Sequence, residues 1–384
     1  MHKSCASAGK RSVSPCHKAL RRNRGTRLKT TKTVLPAHFS TIGSGPKLRI
    51  MIAAARPVLF DTDPGIDDAM ALAMLLNSPE IDLVGCTTVF GNAHTATTTH
   101  NTLALLQLGS RTDVPVVAGA SAPIASNYHG PVPHIHGHNG QGDAELPELT
   151  HAPLDESASD FIYRMALQYR GELVLLPVGP LTNIAIALSD HPDLVDLVSE
   201  VIVMGGNALC GGNATPTAEA NIFNDAEAAD IVFGGSWKIT MVGLDVTQQM
   251  LMTEEMIDRF AQHPTELGRH LGRILPIYQT FTEQGSGHRG VFLHDPGAVA
   301  YLLAPELFTT NAWPIRVETQ GISRGKTWPN VGAADTDDND QFPDRESHLV
   351  DHRAPWRNRP LVNVCTEVDG PAAVSLIATR LGVA

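Results

Sequence analysis

The segment Val58-Leu-Phe-Asp-Thr-Asp-Pro-Gly-Ile-Asp-Asp-Ala-Met70 constrains this fold more than any other stretch of the chain. Val58, Leu59 and Phe60 form a short apolar run that reads as a buried strand. Pro64-Gly65 breaks it, and Ala69 to Leu76 continues at helical spacing. A buried strand, a tight break and an apolar helix make the opening unit of an α/β sheet. Four carboxylates, Asp61, Asp63, Asp67 and Asp68, crowd the strand's C-terminal end and the turn into the helix. Open α/β sheets bind their ligands at that edge. Capping a helix and complementing its dipole takes one or two carboxylates, not four. Four like charges this close need a countercharge, and a hard divalent cation suits them, since Ca²⁺ takes ~6–8 oxygen ligands and prefers carboxylates.

The alternation set by this segment continues. Strands are expected at Ile81–Val89, Val114–Ala118, Glu172–Val178, Val201–Met204, Ile239–Leu244, Ile315–Val317 and Leu361–Val368. Helices are expected at Thr95–Leu108, Ser157–Tyr169, Leu181–Leu188, Asp225–Phe233, Ala372–Leu381 and within 254–284 and 296–303. Residues 121–150 and 207–221 read as long polar loops, and long loops in compact domains tend to be functional. The fold class is therefore α/β, with a single Rossmann-like, open, mostly parallel sheet flanked by helices over residues 57–384. Residues 330–360 are polar and aperiodic and read as a solvated insertion. Their acidic run, Asp335 to Asp340, lacks the glycine and terminal Glu of an EF-hand loop.

Charge divides the chain in two. Residues 1–56 carry 13 Lys/Arg and no acid, leaving 29 − 13 = 16 basic against 40 acidic residues in the rest, or −24. An acidic body argues against binding of a phosphate backbone by the core. The basic segment has three readings: translated upstream sequence with the start at Met51, an organelle transit peptide, or a basic arm for nucleic acid. Under each it is expected to be disordered and outside the catalytic body. No apolar run approaches the roughly 18 residues of a membrane helix, so no membrane partner is expected. The five cysteines show neither CxxC spacing nor a disulfide framework, which fits a reducing compartment. The cytoplasm is the expected location, or an organelle if residues 1–50 are a transit peptide.

Several polar clusters follow apolar strands and should converge on one sheet edge. Asn92 ends Thr87-Thr-Val-Phe-Gly-Asn92. His134, His136 and His138 lie in the loop after the third strand. Gly179-Pro-Leu-Thr-Asn-Ile-Ala185 follows Val178. Met204-Gly-Gly206 precedes Thr215-Pro-Thr-Ala-Glu-Ala-Asn-Ile-Phe223, and Leu293-His-Asp-Pro-Gly-Ala-Val-Ala300 opens a late helix.

Together with Asp61-Thr-Asp-Pro-Gly-Ile-Asp-Asp-Ala69, these blocks resemble the nucleoside hydrolases of the inosine-uridine preferring group, in the family's order. The resemblance runs from about residue 57 to the C-terminus, apart from the insertion. It implies hydrolysis of the N-glycosidic bond of a ribonucleoside to ribose and free base, by a homodimer or homotetramer. It further implies that Asp63, both oxygens of Asp68, Asp295 and the Val178 carbonyl ligate Ca²⁺. A water and two ribose hydroxyls would complete the shell. Asp67 is the expected base toward that water. Asp61 is expected to orient a ligand or backbone group instead of binding the ion. Asn92, Asn213, Glu219 and Asn221 are expected to grip the ribose. His294 is the expected acid toward the leaving base, with His136 facing the base and Tyr278 stacking on it. At Thr282 the family pattern leads one to expect an aromatic residue or His, so base preference stays open.

Two other classes compete. A haloacid-dehalogenase-like, Mg²⁺-dependent phosphatase also opens with an Asp-rich strand end, but Gly65 stands where that mechanism needs Thr or Val. A non-catalytic nucleoside-binding protein on the same scaffold would lack part of the catalytic set, and none is missing.

Overall fold

A computed structural model describes residues 55–331 and 354–384. The basic segment up to residue 54, most of the insertion and the acidic run Asp335 to Asp340 lie outside the described residues.

The strands are β1 (Arg56–Thr62), β2 (Ile81–Thr88), β3 (Val116–Ala118), β4 (Val174–Pro177), β5 (Glu200–Met204), β6 (Ile239–Val242), β7 (Leu251–Thr253), β8 (Gly290–Phe292), β9 (Phe308–Val317), β10 (Thr327–Pro329) and β11 (Leu361–Val368). Nine of them form one sheet in the order β10-β9-β11-β6-β5-β4-β1-β2-β3. Every pairing from β3 across to β11 is parallel. The β11–β9 and β9–β10 pairings at the far edge are antiparallel. The α/β expectation therefore holds, with an open and mostly parallel sheet.

Strand order explains where the site must be. From β1 the chain moves outward to β2 and β3, then returns to lay β4 on the other side of β1. Connections leaving β1 and β4 thus diverge and leave a crevice beyond their C-terminal ends, where open α/β sheets take ligands. The register sets Asp61 of β1 between Thr87 of β2 and Pro177 of β4.

The strands read as continuous apolar runs because both sheet faces are covered. Alternation assigns each residue a side. Val58, Phe60, Val174, Leu176, Ile202 and Met204 join one core with Met70 and Leu72 of the helix Ile66–Leu76, Leu271 and Ile274 of the helix Glu266–Ser286, and Ile377 near the C-terminus. Leu59, Leu175, Val201 and Val203 join the other, with Phe161, Ile184 and Val232. Each fully buried side chain of this kind stabilises by about 1.5–3 kcal/mol relative to exposure. Among the described residues no helix is long and apolar enough to cross a membrane.

The differences from expectation lie in short pieces. The first helix starts at Ile66, so Asp67 and Asp68 occupy its first turn. The helical stretch 254–284 is broken: Glu254–Arg259 passes through a short 3₁₀ turn, and a new helix begins at Glu266, where Thr265 accepts from the Gly268 N–H. The strands β7, β8 and β10 and the helices Pro133–His136, Ala220–Asn224 and Leu244–Thr247 were not expected. Segments of three to five residues hold too little periodicity to register.

Candidate active site

Asp68 is the most heavily bonded carboxylate of the cluster. Its Oδ1 accepts from the Thr62 hydroxyl at 2.5 Å and the Asp63 N–H at 3.2 Å. Its Oδ2 accepts from the Gly65 N–H at 2.9 Å and the Asn92 amide at 3.1 Å. The bond to Gly65 caps the first helix, so the bland role of a first-turn aspartate is present too. Gly65 has no substitute here: a Cβ would lie 2.6 Å from His136 Nδ1 and 2.8 Å from Asn92 Nδ2.

Asp67, Asp68 and Asp295 each offer an oxygen, and these oxygens lie within 4.8 Å of one another, all three residues being buried. Asp295 comes from the far end of the chain, in the first turn of the helix His294–Leu303. Asp63 stands outside this compact group. Its Oδ2 accepts from the Asn92 N–H at 2.7 Å. A Cβ on Gly91 would lie 2.0 Å from that oxygen, and one on Gly179 would lie 2.5 Å from Oδ1. The two glycines of the neighbouring turns thus make room for the Asp63 carboxylate.

Burial, reinforced by the neighbouring carboxylates, pushes Asp63, Asp68 and Asp295 above the usual carboxylate range. Burial raises Asp67 as well, against a hydrogen bond from Tyr278. Among the described residues no salt bridge reaches any of them. Asp67 Oδ1 and Asp61 Oδ2 are buried without a hydrogen-bond partner. Buried, mutually repelling and partly unpartnered oxygens are the donor set that a hard divalent cation fits.

Asp61 lies one layer deeper. Its Oδ1 accepts from Thr87 at 2.6 Å and from the Asn183 amide at 2.7 Å, and burial pushes its pKa up to about 7. Its carbonyl accepts from the Val178 N–H at 2.8 Å, which fixes the Val178 backbone against β1. The Val178 carbonyl accepts from the Asn221 amide at 2.7 Å. Glu219 is buried, and its carboxylate accepts from the N–H groups of Gly206, Asn221 and Ile222. Asn213 is exposed and accepts from the Ala220 N–H at 3.0 Å, so it stands at the rim.

Ring side chains gather beside the carboxylates. His136 Nδ1 accepts from the Ile66 N–H at 3.0 Å, so its proton sits on Nε2, and burial pushes its pKa down to about 4. Tyr278, expected to stack on the nucleobase, donates its hydroxyl to Asp67 Oδ2 at 3.2 Å. Its ring lies tilted against His136 and stacked with Phe281. His294 Nδ1 is 2.8 Å from the Thr247 hydroxyl, and burial followed by the nearby His136 lowers its pKa to about 4. Thr282 is buried and donates to the Tyr278 carbonyl at 3.1 Å, so its hydroxyl is used within the helix.

Four contributors escape a reading of sequence. Thr62, Thr87 and Asn183 lie inside quoted motifs but carry no role there, and Thr247 lies outside all of them. Residue alternation along β1 points Thr62 to the opposite side from Asp61, which is the one signal that could have singled it out.

The profile of the family described as inosine-uridine preferring nucleoside hydrolase matches residues 58–375. This chain belongs to that family. It is a hydrolase acting on the N-glycosyl bond of ribonucleosides. It is 37% identical over 333 residues to a probable uridine nucleosidase 2 of Arabidopsis thaliana, covering 86% of this chain and 98% of the relative. It is 35% identical over 329 residues to the pyrimidine-specific ribonucleoside hydrolase RihA of Escherichia coli O81, covering 85% and 98%. Among solved structures, a plant nucleoside hydrolase superposes with a TM-score of 0.76 at 32% identity over 85% of this chain and 98% of that one. A purine-preferring ribonucleoside hydrolase from Gardnerella vaginalis superposes with a TM-score of 0.75 at 33% identity over the same shares. The nucleoside hydrolase fold thus carries the carboxylate group at its topological switch point, and the phosphatase alternative loses its support.

Proposed function

We propose that this nucleoside hydrolase releases ribose from ribonucleosides with Ca²⁺ held by Asp63, Asp68, Asp295 and the Val178 carbonyl. The observation that carries this reading is the gathering of buried carboxylates from both ends of the catalytic body, with no salt bridge among the described residues to neutralise them. Bound among them, the cation supplies a positive charge that makes a neighbouring water easier to deprotonate.

The residues of the chain do the rest. Asp67 accepts the water's proton: Oδ1 is unpartnered, while Oδ2 is anchored by Tyr278. Asn92, Asn213, Glu219 and Asn221 hold the ribose hydroxyls, and that binding energy drives the ring toward the oxocarbenium-like transition state. Asp61 orients the Val178 backbone. His136 faces the nucleobase. His294 delivers a proton to the leaving base. It rests neutral, so it first takes a proton from solvent, favoured by the negative charge developing on the departing base, and then hands that proton to the base.

One observation favours a second assignment of two roles. The compact oxygen group contains Asp67 and not Asp63. In that version Asp67 is the cation ligand and Asp63 is the base.

Pyrimidine-acting relatives put uridine first among substrates to try, and the purine-preferring neighbour puts inosine beside it. The test incubates the full chain with a panel of ribonucleosides, with and without chelator, and scores ribose release. Chelator-sensitive release of ribose from at least one nucleoside is expected. Release that is indifferent to chelator, or none at all with Ca²⁺ present, overturns the reading.

A further inference from the structure

The turn that carries the aspartates is braced from outside the site. Gln141 and His270 are both fully buried. The Gln141 amide nitrogen donates to the carbonyls of Gly65 at 2.8 Å and Gly140 at 3.0 Å, with Pro64 at 3.3 Å. Its Oε1 lies 3.0 Å from His270 Nε2. An amide oxygen only accepts, so His270 Nε2 donates, and its Nδ1 is left to accept from Arg273, 3.4 Å away. Arg273, His270, Gln141 and Gly65 therefore form a directional chain of hydrogen bonds that ends on the cap of the first helix.

Asn101 reinforces it by donating to the carbonyls of Pro64 at 3.1 Å and Asn139 at 2.9 Å. Gly140 lets the loop lie this close: its φ is +75°, and a Cβ would sit 2.9 Å from Asn101 Nδ2 and 3.1 Å from the Pro64 carbonyl. His270 shares its helix with Tyr278, two turns further on, which donates directly to Asp67. One helix thus reaches the aspartate segment twice, through Gln141 to its backbone and directly to the Asp67 carboxylate.

We propose that Gln141 and His270 are positioning residues that hold the Pro64-Gly65 turn, and through it set the spacing of Asp63 from Asp67 and Asp68. The inference rests on the cation-dependent reading above. Neither side chain touches the reacting atoms.

The test compares His270→Phe, Gln141→Leu and His270→Gln with the wild-type chain. Glutamine places an amide N–H at about the position of the imidazole Nε2. Ca²⁺ alone is titrated calorimetrically into each chelator-stripped protein, and kcat and KM are measured on the best nucleoside of the panel. His270→Phe and Gln141→Leu are expected to weaken Ca²⁺ binding or lower kcat by about 10- to 100-fold with little change in KM. His270→Gln is expected to restore both. Wild-type values in the two apolar variants overturn the proposal, as does a His270→Gln protein no better than His270→Phe. If His270→Phe does not fold, Gln141→Leu carries the same comparison. A wild-type chain that hydrolyses no nucleoside sinks the underlying reading instead, and the Ca²⁺ titrations still judge the brace.

Discussion

At the scale of single residues, the site is a problem of placing like charges. Asp68 is satisfied by four donors, whereas Asp67 keeps one oxygen free. That asymmetry separates the two roles experimentally. Asp67→Asn is expected to lower kcat by roughly 10²–10⁴-fold while the protein still binds Ca²⁺. Asp63→Asn is expected to lose cation affinity first. Metal content and single-turnover rates on both variants decide it, and the reversed pattern assigns the base to Asp63. Asp295→Ala removes a carboxylate that only the fold brings to the group, and is expected to abolish tight Ca²⁺ binding by calorimetry. An unchanged titration contradicts the ligand set. Asn92 shows how a residue can serve a second purpose beside the one its motif suggests. Expected to grip ribose, it donates its backbone N–H to Asp63 and its side chain to Asp68.

At the scale of elements, the loops that carry site residues are held by buried polar side chains at helix ends. Asp225 is the clearest case. It is fully buried and caps the helix Ala226–Val232 through the Ala228 N–H, while accepting from the Ile124 N–H at 2.9 Å and the Thr182 hydroxyl at 2.7 Å. Three segments beneath the site meet on one carboxylate. Asp225→Ala is expected to cost about 2–4 kcal/mol, from a lost cap, an orphaned buried Thr182 hydroxyl and the lost bond to the Ile124 N–H. A chemical denaturation midpoint unchanged from wild type would contradict this. The long helix Glu266–Ser286 plays a comparable part by facing the aspartate segment with His270 and Tyr278. Its start was hidden from sequence periodicity, because the break before it is a 3₁₀ turn and a cap and not a change in hydrophobic pattern.

At the scale of the whole molecule, the carboxylate group ties folding to pH and to the cation. Burial raises Asp61 to about 7 and raises Asp63, Asp67, Asp68 and Asp295 as well, from an unfolded value near ~3.9. Between those limits the folded state binds more protons than the unfolded chain, so chelated protein loses stability as pH rises from about 4 to about 7. A bound cation favours the ionised forms and opposes that loss. The gap in melting temperature between Ca²⁺-saturated and chelated protein is therefore expected to widen as pH rises over this range. A gap independent of pH would mean that the carboxylates are not where the cation acts. By itself the sequence determined the α/β class, the strand-to-helix unit that bears the aspartates, and the family. Each follows from short-range periodicity or from contiguous motifs, which survive without a third dimension. Only the tertiary structure decided that β4 returns beside β1, that Asp67 and not Asp63 joins Asp68 and Asp295 in the compact oxygen group, and that Tyr278 donates to a carboxylate. It alone also joined Gln141 to His270, 129 residues apart. Those are contacts between segments distant in the chain, set by strand order and helix packing, and no local pattern records them.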